Sequence, residues 1–111
     1  MEERVRGRAK RVLVVGTLDD HDIAPESALA SDGTIIVMEN DSARVADMRR
    51  RFSNDGFASR ATIISGDPRR MLYKLSGPFD LIFCSAPYLS ARPILEKLLA
   101  PDGVLVTNGG T

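Results

Sequence analysis

Three apolar runs of the sequence are each followed by residues that could contact a nucleoside: Gly16-Thr17-Leu18, Glu39-Asn40 and Gly66-Asp67-Pro68. A glycine after such a run lets the backbone turn tightly and approach a ligand. The carboxylate of Glu39, 23 residues after Gly16, could accept two hydrogen bonds from a ribose diol. Asp67 could accept a hydrogen bond from an adenine amino group. These residue types in this order indicate an adenosine-containing ligand.

A purely structural role remains open for the same acidic residues. Glu39 and Asp41 precede a predicted helix and could form a capping cluster, and Asp67 is a candidate N-cap of another. The dinucleotide fingerprint G-x-G-x-x-G is absent, because Leu18 and Asp20 stand where further glycines would be needed. The first turn therefore does not predict NAD binding.

The composition narrows the class of protein. The 111 residues carry 15 basic and 15 acidic side chains, which argues against nucleic-acid binding by bulk charge but leaves a local basic patch open. The longest apolar runs have four residues, far fewer than the roughly 18 of a membrane span. Residues 1–10 form a basic segment without the apolar stretch of a signal peptide, and Cys84 has no disulfide partner. We expect a cytoplasmic protein of a single domain.

Five short apolar runs predict the strands that must position these residues: 11–15, 34–38, 61–65, 79–84 and 103–107. They are continuously apolar, which is typical of parallel strands buried on both faces. Helical patterns lie between them at 41–52, 68–75 and 90–100, with a weaker one at 21–30. The alternation predicts an α/β fold, a Rossmann-like doubly wound parallel sheet. We expect no internal repeat.

Taken together, these residues resemble the class I S-adenosylmethionine-dependent methyltransferases, and most closely the catechol and caffeoyl-CoA type O-methyltransferases. The resemblance covers nearly the whole chain and implies the strand order 3-2-1-4-5. It also implies S-adenosylmethionine or S-adenosylhomocysteine as cofactor, with Gly16-Thr17-Leu18 beside the methionyl part, Glu39 on the ribose and Asp67 near the adenine. The other positions expected to line the cofactor are Asn40, Gly66, Pro68 and Ser85.

The sequence also departs from this family. Val14 replaces an acidic residue that usually precedes the first glycine by two positions, and Asp20 replaces a second glycine. Metal-dependent members bind a divalent cation through an Asp after the fourth strand and an Asp-Asn pair after the fifth. The matching residues here are Ser85, Asn108 and Gly109, none of them a carboxylate. Hard cations prefer charged oxygen ligands, so we expect methyl transfer without a metal.

A second resemblance concerns the four residues Ser85-Ala86-Pro87-Tyr88. They are similar to the [Asp/Asn/Ser]-Pro-Pro-[Tyr/Phe/Trp] motif of amino-group methyltransferases, with Ala86 in place of the first proline. The resemblance implies that Ser85 and Tyr88 are the acceptor-side catalytic residues, and the acceptor itself is not identified. The alternative is a strand-to-helix turn in which Pro87 sets the backbone and Tyr88 packs on the rim.

Class I methyltransferases typically carry seven strands, and this sequence stops after its fifth. We therefore expect residues 1–111 to be a single truncated domain that lacks the sixth and seventh strands. The run 103–107 contains no charge or proline, and as an unpaired edge it would favour pairing with another chain. A homodimer that covers this edge is the expected assembly. The competing function is a non-catalytic module of the same fold that serves in binding or dimerisation.

Overall fold

The computed structural model describes residues 7–16 and 29–108. The elements within them are β1 (Ala9–Val15), β2 (Leu29–Glu39), α1 (Ser42–Asn54), β3 (Ala61–Ser65), α2 (Pro68–Met71), β4 (Phe79–Ser85), α3 (Arg92–Leu98) and β5 (Leu99–Asn108). Short 3₁₀ helices lie at Ala58–Arg60, Leu72–Lys74 and Ala86–Ala91. The weaker helix predicted at 21–30 falls mostly outside the described residues, and residues 29 and 30 belong to β2 instead.

The five strands pair in parallel in the order β3-β2-β1-β4-β5, which confirms the predicted Rossmann-like sheet. Val14 of β1 lies opposite Val37 of β2 on one side and Phe83 of β4 on the other. The order of strands therefore reverses at β1. In such sheets ligands bind outside the carboxyl ends of the strands at this switch point.

The core consists of two apolar layers, one on each face of the sheet. β1 supplies Val12 and Val14 to one layer and Leu13 and Val15 to the other, as the alternation of side chains along a strand requires. Phe52 of α1 packs into the first layer, and the second includes Leu72, Leu95 and Leu98. Burial on both faces explains why the strands appear as continuous apolar runs in the sequence.

Two helices begin at capping residues that the sequence identifies. Asp41 Oδ1 accepts hydrogen bonds from the backbone N–H groups of Ala43 at 2.9 Å and Arg44 at 3.3 Å. Asp67 Oδ1 accepts one from the N–H of Arg69 at 3.0 Å. Both side chains satisfy donors at a helix start that would otherwise lack a partner, so both predicted N-caps are confirmed.

Two predicted helix ends are wrong. The helix expected at 68–75 ends as an α-helix at Met71 and continues only as the 3₁₀ turn Leu72–Lys74. The helix expected at 90–100 occupies Arg92–Leu98, because Leu99 already pairs with Phe79 of β4. Pairing with a distant strand overrides the local helical pattern at this boundary.

β2 and β5 begin earlier than predicted, and both begin with Leu-Ala-x-Asp-Gly, at residues 29–33 and 99–103. In β2, residues 30–33 lie opposite the single residue Lys10, and in β5, residues 100–103 lie opposite Asp80. This shared start of five residues is much shorter than the structural units to which the expected absence of an internal repeat refers. One short pattern forms the same bulge at the start of two strands.

Candidate functional site

Gly16 follows β1 at the switch point in a conformation that favours glycine. Its φ angle is +79°, and its N–H donates to the carbonyl of Met38 at 2.8 Å. A Cβ at this position would lie 2.8 Å from Cε2 of Tyr88 and would overlap Oγ of Ser85. The lack of a side chain therefore lets the end of β1 touch the segment that follows β4.

Glu39 ends β2 with a carboxylate that is almost completely buried. Its relative exposure is 3%, and its Oε2 accepts a hydrogen bond from the N–H of Asp41 at 2.8 Å. The first amides of α1 donate to Asp41, not to Glu39. Glu39 instead accepts a hydrogen bond from the N–H of the N-cap residue Asp41, so it belongs to the capping cluster at the start of α1. Its contact with a ribose stays a prediction.

The turn after β3 places Gly66 and Asp67 beside the end of β2. The N–H of Gly66 donates to the carbonyl of Glu39 at 3.0 Å. The carboxylate of Asp67 accepts hydrogen bonds from the backbone N–H and from Nε of Arg69, the latter at 3.2 Å. The backbone hydrogen bond from Arg69 is the main reason that the pKa of Asp67 is lowered. Asp67 is thus an ionised cap, and its contact with adenine stays a prediction.

Ser85 is buried at the end of β4, directly beside the end of β1. Its Oγ donates a hydrogen bond to the carbonyl of Val15 at 3.2 Å. The hydroxyl proton is committed to that carbonyl, which leaves the lone pairs of Oγ as acceptors for a ligand. The following 3₁₀ helix, Ala86–Ala91, carries a proline in its first turn, as in the structural alternative for this motif.

Tyr88 lies near residues that follow two other strands, Gly16 after β1 and Arg69 after β3. Its half-buried ring packs against Gly16, and the guanidinium of Arg69 lies 5.5 Å from the ring centroid. Burial is the main cause that raises the pKa of Tyr88, followed by the negative charges of Glu39 and Asp67. The phenol therefore stays neutral near neutral pH and has both carboxylates in its surroundings.

The structure thus brings together most of the predicted site. Gly16, Ser85 and Tyr88 are in contact, and the hydrogen bond from Gly66 joins the third turn to Glu39. Asn40 is exposed beside them, and Pro68 is buried in the first turn of α2. Thr17, Leu18, Asp20 and Gly109 lie outside the described residues.

Arg69 is a site residue that the sequence analysis missed. Its side chain joins Asp67 to Tyr88, and these two residues follow different strands. Its position two residues after a helix cap was a signal for the Asp67 contact, since an N-cap often meets side chains of the first turn. Nothing in the local sequence indicated the contact with Tyr88.

The structure describes residues 7–16 and 29–108. In these ranges no group of three or more His, Cys, Asp or Glu side chains is placed to hold a metal ion. No helix in the same ranges is long and apolar enough to cross a membrane.

Comparisons with known proteins agree with this geometry. No protein-family model matches the chain. Over 66 residues the chain is 35% identical to the mitochondrial ribosomal RNA small subunit methyltransferase of Arabidopsis thaliana, a match that covers 59% of this chain and 16% of that protein. The O-methyltransferase TomG of Streptomyces achromogenes, solved in complex with S-adenosylmethionine, matches with a TM-score of 0.78 and 25% identity. That match covers 90% of this chain and 48% of TomG.

Two further solved structures share the fold. A Podospora anserina methyltransferase with bound S-adenosylhomocysteine matches with a TM-score of 0.76 and 25% identity, over 90% of this chain and 46% of that one. An O-methyltransferase from Bacillus cereus, also in complex with S-adenosylhomocysteine, has a TM-score of 0.77 and 22% identity, over 89% and 49%. The chain therefore spans about half the length of these proteins. The resemblance to the class I methyltransferases is confirmed, and the chain has their fold.

Proposed function

We propose that this chain, which has the fold of the class I S-adenosylmethionine-dependent methyltransferases, binds S-adenosylmethionine at its switch point and acts in methyl transfer. The observation that carries the proposal is the buried carboxylate of Glu39 at the end of β2. Its Oε2 accepts the N–H of Asp41, and a carboxylate has further lone pairs that could accept two hydrogen bonds from a ribose diol. A carboxylate that served only the N–H of Asp41 would also suit the competing non-catalytic module, so cofactor binding is the property that the experiment must show.

The other residues of the edge fit the same ligand. Gly16 has no side chain, and the space where its Cβ would lie is taken by Ser85 and Tyr88, so these three residues would form one wall beside the methionyl part of the cofactor. Gly66 and Asp67 lie on the far side of Glu39, where the adenine would follow the ribose. When bound, S-adenosylmethionine supplies an electrophilic methyl group. The chain's own contribution is to hold the acceptor in line with that group.

Ser85 and Tyr88 are the residues proposed to orient the acceptor. Ser85 Oγ donates to Val15, so it can accept a hydrogen bond from a hydroxyl or an amino group of the acceptor. Tyr88 offers a neutral ring on which a planar acceptor can stack. The carbonyl and hydroxyl oxygens here are neutral, and no step in this arrangement requires a metal ion.

An amino group of RNA is the second candidate acceptor. It is favoured by the motif Ser85-Ala86-Pro87-Tyr88 and by the similarity to a ribosomal RNA methyltransferase. Ser85 as an acceptor and Tyr88 as a stacking ring suit the amino group of a planar base. Methyl-transfer assays with hydroxyl substrates and with RNA would show whether oxygen or nitrogen is the methyl acceptor.

Calorimetric titration with S-adenosylmethionine and S-adenosylhomocysteine tests the proposal. Wild-type protein should bind both, and Glu39→Ala should weaken binding by about 1 to 3 kcal/mol, the range for lost hydrogen bonds to a charged group. Asp47→Ala is the control, because it also removes one carboxylate, but an exposed one on α1 that lies outside the switch point. Equal affinities of Glu39→Ala and wild type, or no binding by wild type, would refute the proposal.

A further inference from the structure

Tyr73 is a large side chain that the fold leaves in solvent. It is 74% exposed, and no other large hydrophobic side chain within residues 7–16 and 29–108 is classed as exposed. It stands in the 3₁₀ turn that extends α2, whose inner side is formed by the buried residues Pro68 and Leu72. The apolar residues of this segment are buried, whereas the ring of Tyr73 is exposed. Tyr73 therefore belongs to the surface and not to the core.

Two basic residues lie close to Tyr73 along the chain. Arg70 lies three residues before it and Lys74 one residue after it, so Arg70 is a surface neighbour of both at helical spacing. Residues 68–79 contain three basic and no acidic side chains. Arg70 and Lys74 form no ion pair within the described part of the chain.

This charge is concentrated in one stretch of a neutral protein. Residues 68–79 carry three basic and no acidic side chains, whereas the whole chain has 15 of each. The arginines of α1 do not add to this surface, because α1 and α2 pack on opposite faces of the sheet. A local basic patch of this kind can attract a polyanion even in a protein of zero net charge.

The patch reaches the rim of the candidate site. Arg69 is the neighbour of Arg70, and its guanidinium lies 5.5 Å from the ring centroid of Tyr88, which packs against Gly16. A ligand that extends outward from Tyr88 along α2 would meet Arg69 first and Arg70 and Tyr73 next. We call Arg69, Arg70, Tyr73 and Lys74 the α2 surface.

We propose that the α2 surface binds single-stranded nucleic acid and guides it to the methyl-transfer site. Tyr73 would stack on a base, and Arg70 and Lys74 would contact the flanking phosphates. Every base has a π-face, so one exposed ring with cations on either side suits a flexible strand of any sequence. An acidic protein could also bind the two cations, but it would offer no base to stack on the ring of Tyr73. This inference rests on the proposed function and names the acceptor's chemical class.

Fluorescence anisotropy with a labelled single-stranded RNA of about 12 nucleotides tests the inference. Tyr73→Ala should weaken binding about 5- to 150-fold, which corresponds to one lost base stack, and Tyr73→Phe should retain the wild-type affinity. Arg70→Ala combined with Lys74→Ala should reduce the slope of log affinity against log salt by about 1.4, or 0.7 for each lost phosphate contact. The charge-matched control is Arg50→Ala combined with Lys97→Ala, whose side chains are exposed on α1 and α3.

Parallel calorimetry with S-adenosylmethionine separates this inference from the proposed function. The variants at Arg70, Tyr73 and Lys74 should bind the cofactor like wild type, since these side chains are exposed on the surface. Unchanged RNA affinity in Tyr73→Ala, or equal losses in the control pair, would overturn the inference while cofactor binding still supported the function. Binding of poly-glutamate or of anionic lipid vesicles with the same dependence on Tyr73 would overturn it as well.

Discussion

β2 and β5 begin in the same way, but the two halves of the sheet to which they belong carry different chemical groups at their carboxyl ends. Both start with Leu-Ala-x-Asp-Gly and a bulge opposite one residue of the neighbouring strand. β2 then ends at the buried carboxylate of Glu39, in the half of the sheet whose turns also carry Gly66 and Asp67. The other half ends at Ser85, a neutral hydroxyl, and at the phenol of Tyr88.

The comparison separates framework from chemistry. The repeated bulge has a backbone cause. At Gly33 and at Gly103 a carbonyl group of the neighbouring strand leaves no room for a side chain. The groups at the opposite edge are not repeated. The half formed by β1, β2 and β3 holds charged groups that suit a ribose and an adenine, and the half formed by β4 and β5 offers neutral groups that suit an acceptor.

The largest expected effect concerns the two bulges. A Cβ on Gly33 would lie 2.6 Å from the carbonyl oxygen of Ala9, and a Cβ on Gly103 would lie 2.9 Å from that of Phe79. Backbone cannot move as a flexible side chain can, so Gly33→Ala should destabilise the fold by about 3 kcal/mol and Gly103→Ala by about 1 to 2 kcal/mol. Urea unfolding measures both.

Ser31→Ala is the control within the same motif. Ser31 is exposed, and its replacement should change the free energy of unfolding by less than about 0.5 kcal/mol. The guanidinium of Arg60, which donates to the carbonyls of Ala30 and Gly33, also fixes the β2 bulge. Tolerance of alanine at Gly33 but not at Gly103 would break the comparison, since it would show that the two bulges are not equivalent.

The sheet could be predicted from the sequence because its causes are local. Strands buried on both faces are apolar throughout, and the turns carry the glycines and caps that end them. Glu39 could be found because its place after the second strand is itself the signal. The end of α3 before Leu99 could not, because it depends on the pairing of Leu99 with Phe79 of β4. The contact between Arg69 and Tyr88 joins two separate turns, so no local pattern contains it.

The outer edge of β5 distinguishes the two halves further. β2 lies between β1 and β3, whereas β5 pairs only with β4 among the residues that the structure describes. We propose that a second copy of the chain covers this edge, as expected from the apolar run 103–107. Light scattering across a concentration series should show a dimer mass. A monomer at high micromolar concentration, with this edge left in solvent, would refute the proposal.

A smaller effect links the two halves through Tyr88. Burial is the largest cause that raises the pKa of its phenol, and the charge of Glu39 is the second largest. In a Tyr73→Phe background Tyr88 is the sole tyrosine, because the chain has two. Glu39→Gln in that background should lower the pKa of Tyr88, which the absorbance of tyrosinate reports directly.

The sign of the pH dependence follows from the raised pKa of Tyr88. Above the ordinary tyrosine pKa of about 10, the unfolded chain loses the phenolic proton before the folded chain does. Stability should therefore fall as the pH rises past that value, and it should fall less steeply in Glu39→Gln. Asp47→Asn, on the exposed side of α1, should leave the titration unchanged. An identical titration in Glu39→Gln would show that the carboxylate of one half does not reach the phenol of the other.

The smallest expected effect is that of a divalent cation. Magnesium and calcium prefer several charged oxygen ligands, and β4 ends in a single hydroxyl whose proton is donated to Val15. Ligands that bind only the folded state raise the melting temperature progressively as their concentration exceeds the dissociation constant, so millimolar magnesium or calcium should produce no such rise over a chelator control. The result should be the same for wild type and Ser85→Ala. A concentration-dependent rise that Ser85→Ala abolishes would show that the β4 end binds a cation after all, and the contrast between a charged half and a neutral half would then be lost.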